Sequence, residues 1–186
     1  NLRLVKFKKE GKMVISPYIG TYYIAVNCQK PILKDPRVRK ALALAIDRPA
    51  LIETVWKDGR KPATAWVPYG INDSDSSKQF RDVGGDYYDP KGNIEEAKRL
   101  LAEAGYPDGK GFPEFEYAYN KNDTHIMIAQ AIQDMWKKNL GIQVKLNEVD
   151  WKVFLPQRKK GNYEISRDGW IGDYMDAATF MDILRA

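Results

Sequence analysis

Phe115-Glu-Tyr-Ala-Tyr119, then Thr124-His-Ile-Met-Ile-Ala-Gln-Ala-Ile-Gln-Asp-Met-Trp-Lys-Lys-Asn139, then Ile142-Gln-Val-Lys-Leu146, follow one another in the second half of the chain. In the first piece Phe115, Tyr117 and Tyr119 share one face of a strand. In the second, Ile128, Ala131, Ile132, Met135 and Trp136 recur with the period of a buried helix face, and in the third Ile142, Val144 and Leu146 alternate again. Strand, helix and strand in succession predict an α/β fold: a mixed β-sheet flanked by helices.

The flanking sequence extends this pattern. Downstream, a short helix begins at Asp150, a strand runs from Tyr163 to Asp168, and a last helical start lies at Asp176. Upstream, Asn93 to Gly105 reads as an amphipathic helix with its own cap and terminal glycine. Asp35-Pro36 opens another, with Val38, Ala41, Leu42 and Ala45 as its stripe, and Asp47 caps a helix from Pro49 to Trp56 with Gly59 at C′. Thr21 to Asn27 is rich in aromatic and β-branched residues and reads as a strand. Residues 1–17 predict edge strands, a hairpin turning at Lys9-Glu10-Gly11-Lys12 between Leu2 and Leu4 on one side and Val14 on the other. Residues 60–91 carry Pro, Gly, Asp and Ser with neither period, and predict a long surface excursion that includes Trp66-Val-Pro-Tyr69. Residues 1–186 thus read as a single domain, and an opening at Asn1-Leu-Arg-Leu in the middle of a strand-like pattern reads as a piece of something longer.

At 44% hydrophobic and 30% charged, with a single Cys, the 186 residues describe a globular domain rather than a disordered or disulfide-stapled chain. One domain of this length buries roughly 70% of the surface of its unfolded chain, so the core needs no metal or bridge. Apolar runs are far shorter than the ~20 residues that cross a bilayer. The net charge of +5 is concentrated: five basic residues against Glu10 put +4 in the first twelve positions. The remaining Lys and Arg are interspersed with acids, which argues against a nucleic-acid surface.

Catalytic and metal chemistry find few residues to carry them. Cys28 and one distant His, His125, make a weak nucleophile and base pair, and no G-x-S-x-G, H-E-x-x-H or phosphate loop occurs. One His and one Cys cannot furnish a zinc or copper shell. His125 stands one turn before the apolar stripe of its helix, the place of a helix-end residue with a local hydrogen bond. Two clusters carry more. Gly169-Trp170-Ile171-Gly172-Asp173-Tyr174 ends a strand and opens a loop, an ordinary turn or an acid with aromatics at the mouth of a sheet. Arg158, Lys159, Lys160 and Arg167 form the second, and Arg167 shares strand parity with apolar Ile165, so it calls for an anionic partner, internal or a ligand.

Tyr18 … Gly20-Thr-Tyr-Tyr-Ile-Ala-Val-Asn27, Asp35-Pro-Arg-Val-Arg-Lys-Ala-Leu, Ala45-Ile-Asp-Arg48, Ala97-Lys-Arg-Leu-Leu-Ala-Glu-Ala-Gly-Tyr106, Trp136-Lys-Lys-Asn-Leu-Gly141 and Gly169-Trp-Ile-Gly-Asp-Tyr174, in this order, resemble the oligopeptide-binding proteins of bacterial ABC importers. The resemblance covers the chain from about Tyr18 onward and implies one lobe of a two-lobed periplasmic-binding-protein-like receptor. That receptor captures an extended peptide between its lobes and passes it to permease subunits. It implies no enzyme activity, no cofactor and no metal, a monomer, and contact with the membrane only through a lipid anchor outside these residues.

The resemblance also implies roles. Asp173 pairs with the peptide's α-ammonium, Trp170 and Tyr18 line the cleft, and Arg158, Arg167 and His125 meet the terminal carboxylates of peptides of different lengths. Some Gram-negative members carry paired cysteines where this chain has Gly20 and Ile171. Their joint absence, with the Lys-rich composition, implies an extracytoplasmic, Gram-positive cell-surface lipoprotein rather than a periplasmic protein, with Cys28 a free thiol at a strand end. Receptors for dipeptides, nickel chelates or other small solutes share the scaffold and are the alternative. A small hydrolase, from a different class, lacks its nucleophile.

Overall fold

A computed structural model describes residues 6–7, 9–14 and 18–185. Strand β1 (Gly20–Val26) leads into two short helices, α1 (Pro31–Lys34) and α2 (Pro36–Leu44). Asp35 divides them: its backbone is extended, its Oδ1 accepts from the Arg37 N–H at 2.8 Å, and Pro36 opens α2 without a donor to strand. Asp47 starts α3 (Arg48–Leu51) in the same way, accepting from Ala50 N–H at 2.9 Å, and the helix widens into a π turn over Ile52–Trp56. Lys57 N–H closes that turn on the Ile52 carbonyl at 2.8 Å, so the left-handed cap is Lys57 (φ 53°), and Gly59, also at positive φ (87°), lies two residues beyond it.

After α4 (Phe80–Gly84) comes α5 (Ile94–Glu103), capped by Asn93. The segment that decides the fold class becomes β2 (Phe115–Asn120), α6 (Asp123–Leu140) and β3 (Val144–Val149). Asn122 caps α6 and Gly141, at φ 70°, ends it. Helix α7 (Trp151–Lys159) starts at the Asp150 cap, β4 (Ile165–Ile171) follows, and α8 (Ala178–Met181) runs into a 3₁₀ turn at Asp182–Leu184. The strand expected to end at Asp168 therefore continues through Gly169, Trp170 and Ile171.

The sheet is mixed, in the order β1-β4-β2-β3: β1 and β4 are antiparallel, while β4 with β2 and β2 with β3 are parallel. On one face α6 lays Ile128, Ile132 and Trp136 against Phe115 and Tyr117, and α2 and α5 close this main core behind it. Trp136 is 2% exposed and its indole N–H donates to the Leu42 carbonyl at 2.8 Å, joining α6 to α2 through a satisfied buried donor. On the other face α7 inserts Phe154 against Ala118 and Val149.

Residues 60–91 do not merely cross the surface. Val67 and Ile71 make a second small core with Phe180, the Trp66 indole donates to the Phe180 carbonyl at 2.6 Å, and Thr21 Oγ1 donates to the Trp66 carbonyl at 2.9 Å. Arg81 is buried and holds Thr64, Gly85 and Asp86 together. Near the start, Lys6, Phe7 and Lys9 form a helical turn, with Glu10 N–H bonded to the Lys6 carbonyl at 3.0 Å and a Lys6–Glu10 ion pair at 3.8 Å. The hairpin expected there is therefore replaced by local i to i+4 contacts; Leu2 and Leu4 lie outside the described residues, and Val14 is exposed and in no strand.

The register of β1 on β4 sets Gly20 opposite Ile171. The bonds Asn27 N–H to Glu164 C=O and Gly172 N–H to Ile19 C=O, both 2.9 Å, fix the phase. Gly20/Ile171, Tyr22/Gly169 and Ile24/Arg167 are thus non-hydrogen-bonded pairs, whose side chains approach most closely. A Cβ added at Gly20 would stand 3.3 Å from the Trp170 carbonyl, a fit that asks for only small adjustment. In a Cys28→Ser background, Gly20→Cys with Ile171→Cys should form a disulfide. Because the loop it closes is long, the oxidised form should melt about 5–10 °C above the reduced one in differential scanning calorimetry.

Candidate functional site

Parallel strands β2 and β4 pair only at Tyr117–Ile165 and Ala118–Ser166, and then part. From Arg167 to Ile171, β4 has β1 on one side and no strand on the other among the described residues. The phase set above turns the backbone groups of Arg167, Gly169 and Ile171 toward that bare side. A gap at the carboxyl ends of strands, where neighbours change direction, is where open α/β sheets hold ligands. Helix α6 starts three residues after β2 and brings His125 to the same end.

One face of the gap carries Arg167, Tyr22 and His125. The Arg167 guanidinium stands 5.4 Å from the Tyr22 ring centroid, and the Tyr22 hydroxyl lies 3.3 Å from His125 Nδ1. Arg167 makes no ion pair among the described residues, and its buried Nε–H has no acceptor. Burial pushes the Tyr22 hydroxyl up to about 12, against the pull of Arg167. His125 is pushed down to about 4, first by burial and then by the positive charge of Arg167. At neutral pH this corner therefore holds one positive charge, on Arg167, beside a neutral imidazole.

The other face carries Arg158, from the last turn of α7, and Asp168. Alternation along β4 sends Arg167 and Asp168 to opposite faces, so the three cations implied by the resemblance are not brought together: His125 joins Arg167, while Arg158 forms an ion pair with Asp168. The Tyr23 hydroxyl donates to Asp168 Oδ2 at 2.5 Å, Arg158 reaches the Tyr23 oxygen at 3.5 Å, and Gly169 N–H donates to Asp168 Oδ1 at 2.8 Å.

Beyond the strand, Asp173 is exposed and in no ion pair among the described residues. Its backbone is fixed by Gly172 N–H on the Ile19 carbonyl at 2.9 Å and by its own N–H on Thr179 Oγ1 at 3.0 Å. Gly172 fits that seat closely: a Cβ there would stand 3.0 Å from the Thr179 side chain and 3.1 Å from the Phe180 ring, which would have to give by a few tenths of an ångström. Trp170 packs on the small core of Val67, Ile71 and Phe180 with its indole N–H buried and unpaired. Tyr18 is 70% exposed beside Gly20. Sequence reasoning missed Tyr22, Tyr23 and Asp168; the adjacent tyrosines of β1 face opposite sides of the sheet, but only the register tells which charged residue each meets.

A family profile described as bacterial extracellular solute-binding proteins, family 5 Middle, matches residues 2–186. The chain belongs to this family. The chain is 38% identical over 181 residues to the periplasmic oligopeptide-binding protein OppA of Salmonella typhimurium, covering 96% of this chain and 32% of that one. Among solved structures it is similar to a periplasmic oligopeptide-binding protein of Borrelia burgdorferi, with TM-score 0.81 and 39% identity over 90% of this chain and 32% of that one. It is also similar to Listeria monocytogenes OppA bound to peptide, with TM-score 0.84 and 29% identity over 97% of this chain and 36% of that one. The chain spans about a third of the length of the curated relatives it matches. No helix among the described residues is long and apolar enough to cross a membrane.

Since these 186 residues hold one histidine, its imidazole can be followed in them without assignment. The Cε1–H resonance should titrate near pH 4 rather than 6.5, and Arg167→Gln should move the midpoint part of the way back up. The sign for stability follows: the unfolded chain binds the proton first, so the contribution of neutral His125 is complete above pH 6.5 and is lost as pH falls toward 4.

Proposed function

We propose that the chain is one ligand-binding lobe, residues 1–186, of the extracytoplasmic substrate-binding component of an oligopeptide ABC importer. The observation that carries this reading is the edge of β4 that no strand covers among the described residues, with a carboxylate, Asp173, beyond one end and a cation, Arg167, at the other, neither in an ion pair among those residues. An extended peptide can add to such an edge through main-chain hydrogen bonds, which every peptide offers whatever its sequence. The ends then select for chain termini: Asp173 meets the α-ammonium, while Arg167 and the neutral donor His125 meet the carboxylate. Six residues separate Asp173 and Arg167, at most about 20 Å of extended chain. The reach of the two side chains shortens this to a ligand of roughly three to five residues.

The likeness to Listeria monocytogenes OppA bound to peptide supports the same occupant. Trp170 and Tyr18 line the groove in this reading, and a second lobe closes it and dries the charges, since ion pairs left in water contribute little. Permease subunits are the receiving partners. The lobe acts as a monomeric binding module, not an enzyme: the hydroxyl beside His125, that of Tyr22, is pushed up to about 12 by burial and is a poor nucleophile. A lipid anchor outside these residues would hold the receptor at a Gram-positive cell surface.

In the full receptor, Asp173→Asn should weaken peptides with a free α-amino group by about a hundredfold or more, because a buried ammonium loses its partner. N-acetylated peptides should change far less. Isothermal titration calorimetry with tetra-alanine in both forms checks this, and equal losses for the two would remove Asp173 from the amino terminus.

A further inference from the structure

We propose that Asp168 is a built-in occupant of a carboxylate site and thereby sets which peptide termini this lobe accepts. The inference rests on the reading of the chain as a peptide-binding lobe. The Asp168 side chain gathers three donors: the Arg158 guanidinium, the Tyr23 hydroxyl at 2.5 Å and the backbone N–H of Gly169 at 2.8 Å. A guanidinium, a hydroxyl and a strand-edge amide are the groups that a free peptide carboxylate would seek. The Gly169 amide is also one of the groups that β4 turns toward its bare side. Asp168 is 6% exposed and covalently held, so it competes for these donors at a high effective concentration that no dissolved peptide matches.

Arg158 and Arg167 are therefore in opposite states. Arg167 has no anion among the described residues, and its buried Nε–H, like that of Arg158, has no acceptor. Arg158, its side chain 32% exposed, is already neutralised by Asp168. A second carboxylate brought to Arg158 would share one guanidinium with Asp168 and meet like-charge repulsion, which selects against it. Ligands whose carboxylate lands at the Arg167 and His125 corner are accepted, and those of a length that would end at Arg158 are refused.

The test uses the full receptor, with tri-, tetra- and penta-alanine each as free acid and as C-terminal amide, measured by titration calorimetry. Asp168→Asn keeps the shape and an acceptor for Gly169 but removes the charge. It should raise the acid-to-amide affinity ratio at least tenfold for one of the three lengths, the effect of one charge-assisted bond. Asp168→Ala should give the same gain, and adding Arg158→Gln to either variant should abolish it. An unchanged ratio at every length, or a gain that survives Arg158→Gln, overturns the role of Asp168. Failure of the unmodified receptor to bind any of the six peptides would overturn instead the peptide reading beneath it.

Discussion

The pairing of β2 with β4 stops after Ala118–Ser166, and the rest of the structure is arranged around that stop. A strand held on one side only must leave backbone donors and acceptors without partners, and such groups are costly to bury unless something pairs with them. Here β4 continues to Ile171 because β1 supports its other side with an unbroken register from Gly20 to Val26. The helix after β2 then delivers His125 to the gap, and the loop after β4 delivers Asp173. The gap and the charged residues around it thus follow from one topological event: an antiparallel strand added beside three parallel ones.

Local chemistry in the sequence reported the elements well where the signal was local. Asp35, Asp47, Asn93 and Asn122 all cap helices, and the period through Ile128, Ile132 and Trp136 marks the buried face of α6. What stayed hidden depends on partners far along the chain. Val67 and Ile71 show no period because the residue that buries them is Phe180, more than a hundred positions away. The helical turn at Lys6 to Lys9 defeats an alternating pattern that served strand and helix equally, its outcome decided by a single turn of local bonds. The candidate site divides in the same way: Asp173, Arg167 and His125 stand out as candidates by resemblance, whereas the pairing of Arg158 with Asp168 requires knowing that α7 returns over that face of β4.

Adjacent positions of one strand can therefore carry opposite electrical roles. Arg167 and Asp168 differ by one step in sequence, yet the pleat separates them into an open cationic corner beside Tyr22 and a closed ion pair beside Tyr23. Neither state is visible in the net charge of the molecule, which is dominated by its first twelve residues. The neutral His125 adds a donor to the open corner without adding a second positive charge.

The same bare strand edge bears on how the molecule keeps apart from its own copies. An unpaired edge is a template for strand addition from any neighbouring chain, and Ile171, 55% exposed, would favour it. The exposed stretch is short, however, and Arg167 at its inner end, without an anion among the described residues, sets a fixed positive charge beside it, which blunts edge-to-edge association between identical molecules. The feature proposed to admit a short extended chain thus carries its own brake on strand addition between copies.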